Sequence, residues 1–310
     1  MKNLLIIAFF TINTVIIGCS DRNGKDSTKN GVFKIDIDTT WYITSENTKT
    51  FNLSAAEQLA GLAVLVANGN TMFGKTIMLS NDISINGNTT RAKSDKSDFP
   101  INIWTAIGSR SNPFKGVFDG DGHTVSGIYV SSPKSDQGFF GWICEATIKN
   151  LGLLDLYIDG WDYVGGLAGT NRLSKISNCY ATGKVNGTKL YAGGLVGYND
   201  GGAISDSYSN IDVSGNSDVG GLAGSNDAGS IENCYSSGTV AGKTNTGGFV
   251  GGNYFGSIVN CYYDKQTSGQ SDNEKGEGKT TSEMKQQNTY ANWDFTSVWN
   301  ISGNYPFLRF

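Results

Sequence analysis

The sequence predicts an all-β chain folded as a right-handed parallel β-helix, with a capping helix at its N-terminal end and an aromatic cap at its C-terminal end. Three observations predict this fold. A motif recurs every 27 or 28 residues in the second half of the 310-residue chain. Each copy offers three short β-prone pieces separated by Gly, Asn and Ser, and none has the roughly 10 to 12 residues of helical periodicity that helical repeats need. The copies are also shorter than the ~40-residue blade of a β-propeller.

The first 18 residues predict a lipoprotein signal peptide. Lys2 supplies a positive charge, and the largely apolar run of 14 residues from Leu4 to Ile17 is too short to cross a ~30 Å hydrocarbon layer as a stable helix. Ile16-Ile17-Gly18-Cys19 resembles the lipobox of bacterial lipoproteins, which implies acylation of Cys19. An ordinary secretory signal is the alternative. Residues 19–31 are expected to form a flexible polar tether.

Residues 32–137 are expected to form the N-terminal cap and the first, irregular coils. Ser54-Ala55-Ala56-Glu57 has the pattern of a capping box and predicts a helix that ends at Asn68-Gly69. Because a solenoid leaves open strand edges, this helix is expected to lie over the first edge as a lid. Lys75–Leu79 and Asp82–Ile85 predict strands, and residues 86–102 predict a polar excursion.

Residues 138–270 carry five copies of the repeat that align residue by residue. Equivalent side chains of successive coils should stack ~4.8 Å apart. The seventh residue after the closing glycine of each copy is isoleucine, which predicts an apolar spine of Ile148, Ile176, Ile204, Ile231 and Ile258. Two residues after that glycine, four copies carry asparagine, which predicts an amide ladder of Asn171, Asn199, Asn226 and Asn253.

Three cysteines share one position of the repeat. Cys179, Cys234 and Cys261 align with Ser207, which indicates a small buried side chain at that position. Cys234 and Cys261 lie one coil apart, so the spacing leaves two alternatives open for them, a disulfide or two buried thiols. Cys144 is expected in a turn.

Residues 271–310 are expected to form the C-terminal cap. A short helix is predicted over Thr281–Gln287. The aromatic residues that follow are expected to close the end of the stack: Trp293, Phe295, Trp299, Tyr305 and Phe307.

The motifs GGLAGTN, GGLVGYN, GGLAGSN and GGFVGGN resemble the GLUG repeat of bacterial surface proteins, a repeat also found beside the catalytic part of some IgA-cleaving metallopeptidases. The segments FKGVFDGDGHTVSGIYV and GKTTSEMKQQNTYANWDFTSVW resemble the leader and the closing segment of the same proteins. The two-histidine zinc motif of those peptidases has no counterpart in this sequence, so the resemblance implies an adhesin-like β-solenoid without a catalytic role. Together with the lipobox, it is similar to Bacteroidetes outer-surface lipoproteins.

Composition argues against several function classes. The 24 basic and 28 acidic residues give a net charge of −4 without a basic block, which disfavours a nucleic-acid partner. A single histidine, His123, leaves little scope for histidine-based metal sites or triads. No enzyme activity, cofactor or metal is therefore expected. Asp119-Gly120-Asp121-Gly122-His123 is interpreted as a tight turn, with weak cation binding and catalysis as alternatives.

A column of four tyrosines is the candidate binding site: Tyr180, Tyr208, Tyr235 and Tyr262. If the column faces solvent, it offers a stripe for sugar rings or a partner. The alternative is that the rings only stabilise the stack. Trp161, Tyr163, Tyr191, Tyr198 and Tyr254, in or near turns, are weaker candidates.

The expected function is non-catalytic binding of a host or environmental glycan or protein. The chain is expected to be exported, monomeric and surface-exposed, and to contact the outer membrane only through its lipid. A polysaccharide lyase or hydrolase, or an accessory module of one, is the first alternative, because such enzymes also use parallel β-helices. A passive structural spacer is the second.

Overall fold

A computed structural model describes residues 32–33, 35–45, 47–86, 101–272 and 274–310 of the chain. Its strands build a parallel β-solenoid of about 7 turns. The predicted signal peptide, Cys19, the tether and most of the polar excursion lie outside the described residues. In the described part, no helix is both long and apolar enough to cross a membrane.

The strands form three stacks along the solenoid. The first contains the isoleucine positions, and its shorter members are Thr50–Leu53, Thr76–Leu79, Val117–Asp119, Ala203–Ser205, Ser230–Glu232 and Ser257–Val259. The second contains Ile83–Ser84, Thr124–Ser126, Tyr129–Ser131, Val164–Gly165, Tyr208–Gly220, Tyr235–Ser236, Val240–Ala241, Thr244–Gly247, Tyr262–Asp264 and Glu277–Lys279. Two long strands, Thr147–Gly160 and Lys175–Gly193, bend from the first stack into the second.

The third stack is a five-stranded parallel sheet made of Phe140–Cys144, Ala168–Arg172, Val196–Asp200, Ala223–Asp227 and Val250–Tyr254. Two small pairs lie apart from the stacks, Val32–Phe33 with Ile101–Asn102 and Trp299–Asn300 with Phe307–Leu308. The helices are Thr40–Ile43, Ala56–Ala67, Lys265–Ser268 and Thr281–Met284, with a 3₁₀ turn at Gln287–Thr289.

The predicted isoleucine spine is confirmed. Ile148, Ile176, Ile204, Ile231 and Ile258 lie opposite one another in successive coils. The line continues toward the N-terminus through Phe118, Ile77 and Phe51. The first coils therefore share the apolar core of the repeats although their sequences do not share the motif.

The predicted asparagine ladder is also confirmed. The Nδ2 of Asn171 donates to the Oδ1 of Asn199 at 2.7 Å, and Asn199 and Asn226 each donate to the next asparagine at 2.7 and 2.8 Å. From Asn199 onward, each Nδ2 also donates to the carbonyl of a glycine three residues ahead. A Cβ on Gly202 would lie 2.2 Å from the Nδ2 of Asn171. Asparagine and glycine are therefore needed together in the same coil.

Left-handed backbone recurs at three corresponding corners of the repeat coils. At one corner the residues are Asn or Asp, the side chains that best tolerate positive φ: Asn150, Asn178, Asp206, Asn233 and Asn260. The pair Gly165-Gly166 illustrates a different use of glycine. Neither of the two is among the positive-φ residues, and a Cβ on Gly165 would lie 2.3 Å from the carbonyl oxygen of Ala168, so close approach is the reason for this glycine.

The four cysteines of the described part are free. The Sγ of Cys179 and of Cys234 each lie near the carbonyl oxygen two residues back, at 3.2 and 3.1 Å. Ser207 makes the same bond with its hydroxyl at 2.7 Å. A thiol or hydroxyl at this position therefore donates to a backbone carbonyl, whereas the first copy fills the same position with the apolar Leu151. Cys144 corrects the expectation of a turn, because it is the last residue of a strand and pairs with Arg172.

The N-terminal helix is confirmed at Ala56–Ala67, but its predicted capping box is wrong. Ala55 is the N-cap residue and makes no side-chain cap bond. Gln58 serves instead, since its Oε1 accepts from the backbone N–H of Ser54 at 2.8 Å. The helix joins the end strand Thr50–Leu53 to the next coil and contributes Leu59 and Leu62 to the core.

The aromatic C-terminal cap runs along the side of the stack. Residues 281–310, called here the C-terminal segment, pack on four successive coils in one buried cluster with the tyrosine column. The indole N–H of Trp293 donates to the carbonyl of Asn260, and the ring of Phe310 stacks on Tyr180 at 6.1 Å. The short helix Thr281–Met284 begins with a capping box. The Thr280 hydroxyl accepts from the backbone N–H of Glu283, and the Glu283 carboxylate accepts from the backbone N–H of Thr280.

Candidate functional site

The four tyrosines of the column lie in successive coils, as the sequence alignment of the repeats predicts, but the C-terminal segment covers them. Tyr180, Tyr208 and Tyr235 stack with centroids 4.9 Å apart and nearly parallel rings. Tyr235 and Tyr262 are 2% and 5% exposed, and the hydroxyl of Tyr235 donates to the carbonyl of Pro306 at 2.7 Å. Burial raises the pKa of the Tyr208 and Tyr235 hydroxyls. The column therefore offers no open stripe, because the C-terminal segment lies on it, and the alternative in which the rings stabilise the stack fits the structure.

The acidic turn around His123 is built into the stack. Asp119 accepts from the backbone N–H of Asp121 and from the Nδ2 of Asn150, both at 3.0 Å, and pairs with Lys149 at 2.9 Å. His123 lies 3.4 Å from Asp82. These contacts agree with the interpretation as a tight turn. Within the described ranges, no group of three or more His, Cys, Asp or Glu side chains is arranged to hold a metal ion.

An open cleft of about 320 Å³ lies on the outside of the third stack. This volume is at the lower end of the ~300–1,000 Å³ range of small-molecule sites. We call it the arginine–tyrosine cleft, and its lining residues are Arg110, Trp142, Tyr163, Arg172, Tyr191, Tyr198 and Asp200.

The floor of the cleft consists of residues at equivalent positions of neighbouring coils. Trp142, Thr170 and Tyr198 lie opposite one another in three successive strands. The guanidinium of Arg110 lies 4.7 Å from the centre of the Trp142 ring, a cation–π contact that places one cation at the edge of the cleft.

Two tyrosines form the wall of the cleft from a left-handed corner. Tyr163 and Tyr191 lie one coil apart, with ring centroids 5.2 Å apart and stacked, and both have φ near +58°. The same corner holds Asp136, Asp218 and Asn245 in the other coils, also at positive φ. Left-handed backbone costs an ordinary L-residue roughly 1–2 kcal/mol. Asn or Asp meets the backbone requirement at this corner at lower cost, so the backbone does not itself require tyrosine there; at another corner Leu173 and Phe255 also have positive φ.

Carboxylates surround these rings. The hydroxyl of Tyr198 donates to Asp227 at 2.9 Å, and that of Tyr254 to Asp218 at 3.0 Å. Burial and the carboxylate of Asp227 raise the pKa of Tyr198, and burial with Asp218 raises that of Tyr191. The phenols of Tyr191 and Tyr198 therefore stay protonated over the physiological range and are poor general bases.

Arg172 and Asp200, which both line the cleft, form a partly exposed ion pair. Arg172 Nη1 lies 3.4 Å from Asp200 Oδ2, and the two side chains are 53% and 34% exposed. The pair therefore presents a cationic donor group and an anionic acceptor group side by side to solvent. With the stacked rings, the arrangement offers an apolar platform beside a polar edge and is suited to binding.

The sequence ranked Tyr163, Tyr191 and Tyr198 as weaker candidates and did not single out Arg110, Trp142 or Arg172. A signal for the two wall tyrosines was present: aligned by the repeat, they stand where other copies have Asp or Asn. For Arg110 there was none, because it precedes the repeats.

Comparison with known proteins confirms the GLUG resemblance. The family model described as "The GLUG motif" matches residues 162–186, 190–214 and 215–241. The cleft residues Tyr163, Tyr191 and Tyr198 fall within the first two of these matches. A 110-residue stretch, 33% of this chain, is 34% identical to halomucin of Haloquadratum walsbyi. That stretch spans only 1% of the length of halomucin.

A solved structure confirms the fold. It is described as that of a putative immunoglobulin A1 protease from Bacteroides ovatus, and it aligns with a TM-score of 0.65 over 84% of this chain and 92% of that chain. At 22% identity, this likeness shows a common fold and nothing about activity.

Proposed function

We propose that this chain, a parallel β-solenoid with three GLUG motifs, is a non-catalytic cell-surface binding protein that attaches to its ligand through the arginine–tyrosine cleft. The observation that carries the proposal is the pair Tyr163 and Tyr191, held at positive φ where other coils have Asp or Asn. A position that costs folding energy and presents two stacked aromatic rings to an open cleft is typical of a recognition surface.

Surface location is part of the proposal. The likeness of one third of the chain to halomucin supports an exported protein, and the pattern of residues 1–19 supports anchoring through lipid on Cys19 in the bacterial outer membrane. If so, Cys19→Ser moves the protein from the membrane fraction to the soluble fraction and abolishes its labelling by a radioactive fatty acid. Unchanged fractionation and labelling would contradict the anchor without affecting the cleft.

A double substitution tests the binding site. Tyr163→Asn with Tyr191→Asn removes both rings and restores at each corner a residue type that the fold accepts, as Asn245 shows. We expect the purified variant to fold with the stability of the parent within ~1 kcal/mol, because relief of backbone strain offsets lost ring stacking. Binding to a glycan array and to host cells should weaken by ~10–30-fold.

The matched control is Tyr157→Asn. Tyr157 also stacks on a tyrosine one coil away, Tyr129, with centroids 5.1 Å apart, and neither residue lines the cleft. This control should keep full binding. If both variants bind like the parent, the cleft is not the recognition site.

A glycan-cleaving activity is the second candidate, favoured by one observation. Burial raises the pKa of the Asp136 carboxyl, which lies at the same corner position as the wall tyrosines. A carboxyl kept protonated at higher pH is what a general acid requires. Release of products from uronate polysaccharides, with and without calcium, that stops in Asp136→Asn would establish this alternative. A passive spacer would show neither binding nor cleavage.

A further inference from the structure

We infer that the arginine–tyrosine cleft recognises a neutral sugar, with the ring face of a pyranose on the Tyr163–Tyr191 pair and two adjacent hydroxyls on the Arg172–Asp200 pair. This inference rests on the proposed function and specifies the class of its ligand.

The wall of the cleft offers partly exposed aromatic surface to a sugar ring. The two stacked rings lie 5.2 Å apart at an interplanar angle of 28°, and Tyr198 meets Tyr163 edge-on at 5.7 Å. The C–H face of a pyranose is flat and apolar, so it packs on aromatic rings that a folded protein leaves partly exposed. A volume of about 320 Å³ admits a terminal sugar or a short stretch of a glycan chain.

The polar edge matches a pair of neighbouring hydroxyls. The guanidinium of Arg172 carries several N–H donors and the carboxylate of Asp200 only acceptors. Their 3.4 Å separation, with both side chains partly exposed, leaves donors and lone pairs free for a ligand. A hydroxyl both donates and accepts, so two adjacent hydroxyls can bridge such a pair, whereas a carboxylate can use only its arginine half.

The charges of the cleft exclude strongly charged ligands. Arg110 and Arg172 supply two positive charges, and the carboxyl groups at or near the cleft are those of Asp136, Asp162, Asp200, Asp218 and Asp227. An anionic sugar would meet the carboxylates, and a cationic ligand would meet the two guanidiniums. A neutral ligand with many hydroxyls avoids both repulsions and can bond to either charge type.

The test compares neutral with acidic glycans on one array, using the purified full-length chain. Neutral glycans should bind, and sialylated or uronate-containing ones should bind more weakly. Calorimetric titration with the best neutral ligand should show ~10–30-fold weaker binding for Arg172→Ala and for Tyr163→Asn with Tyr191→Asn. Tyr157→Asn should bind like the parent.

Asp200→Asn separates charge from shape. The amide keeps one acceptor and the size of the side chain but removes the negative charge, so acidic glycans should gain affinity relative to neutral ones. Preference for acidic glycans in the parent, lost in the cleft variants, would overturn the neutral-sugar inference and keep the proposed binding function.

Two further outcomes are decisive. Cell binding that depends on the cleft without any glycan signal would replace the sugar by a protein ligand and overturn the inference alone. Binding to glycans or cells that ignores every cleft variant would overturn the proposed function together with the inference.

Discussion

Substitution of one asparagine in the middle of the ladder should cost far more stability than substitution at its end. In Asn199→Ala, the Nδ2 of Asn171 and the Oδ1 of Asn226 lose the 2.7 Å bonds that join them to residue 199. Both asparagines are 0% exposed, so water cannot take over these bonds without entering the core.

The magnitude follows from the number of orphaned groups. Each of the two buried amide groups left without a partner costs ~1–3 kcal/mol of folding free energy. With the small cavity included, the free energy of unfolding should fall by about 3–5 kcal/mol. The carbonyl of Gly202 is not orphaned, because it also accepts from the backbone N–H of Ser230 at 2.9 Å.

Asn253→Ala is the matched control at the end of the ladder. The Nδ2 of Asn226 bonds to Asn253 but keeps its contact with the carbonyl of Gly229 at 3.3 Å, and Asn253 is itself only partly buried. The loss should be about 1 kcal/mol.

Urea unfolding followed by circular dichroism measures both variants beside the parent. Because coils of a solenoid can unfold separately, the first transition is the one to compare. Equal losses in the two variants would refute the reasoning, since they would show that the buried amides act independently and not as a ladder.

Three other predictions follow from the packed interior. Gly229→Ala should prevent folding or lower stability by several kcal/mol, because its Cβ would lie 2.2 Å from the Nδ2 of Asn199; urea unfolding measures this loss. Cys234→Ser should cost less than ~1 kcal/mol and Cys234→Val clearly more, because only serine keeps the donor; the same unfolding assay compares them. Burial raises the pKa of Tyr235 well above its usual 10.0, so the stability it contributes is complete below pH 10 and is lost as the pH rises further. Spectrophotometric titration should therefore show its ionisation together with unfolding, and ionisation in the folded state would contradict the burial.

The repeat made the interior predictable. A fixed period places identical side chains on one line, so the isoleucine spine and the asparagine ladder follow from counting alone. The same counting placed Cys179, Cys234 and Ser207 together, although the sequence does not show that their side chains donate to backbone carbonyls.

The features that the sequence did not predict depend on contacts between non-repeated segments. Nothing in the period shows that the C-terminal segment turns back along the tyrosine column, and this decides whether Tyr208 is open or covered. The prediction of the N-terminal capping box was wrong for a local reason. Ser54 and Glu57 fit the sequence pattern, but the side chain of Gln58 accepts the hydrogen bond from the backbone N–H of Ser54. Arg110 reaches the cleft from an irregular coil with no repeat to align it.

Positions inside the solenoid tolerate substitution less than positions at its corners, so a binding site is easier to build at the corners. An interior position is fixed by the coil above and the coil below, so a change there breaks two contacts at once, as in the asparagine ladder. The corner that holds Tyr163 and Tyr191 needs only a backbone that tolerates positive φ, which Asp136 and Asn245 satisfy at low cost. Tyr163 and Tyr191 occupy that corner at a higher folding cost, side by side with an exposed Arg172. A solenoid that keeps its ladders constant and varies its corners can acquire new ligands without refolding, and departures from the repeat at corner positions are therefore where recognition should be sought.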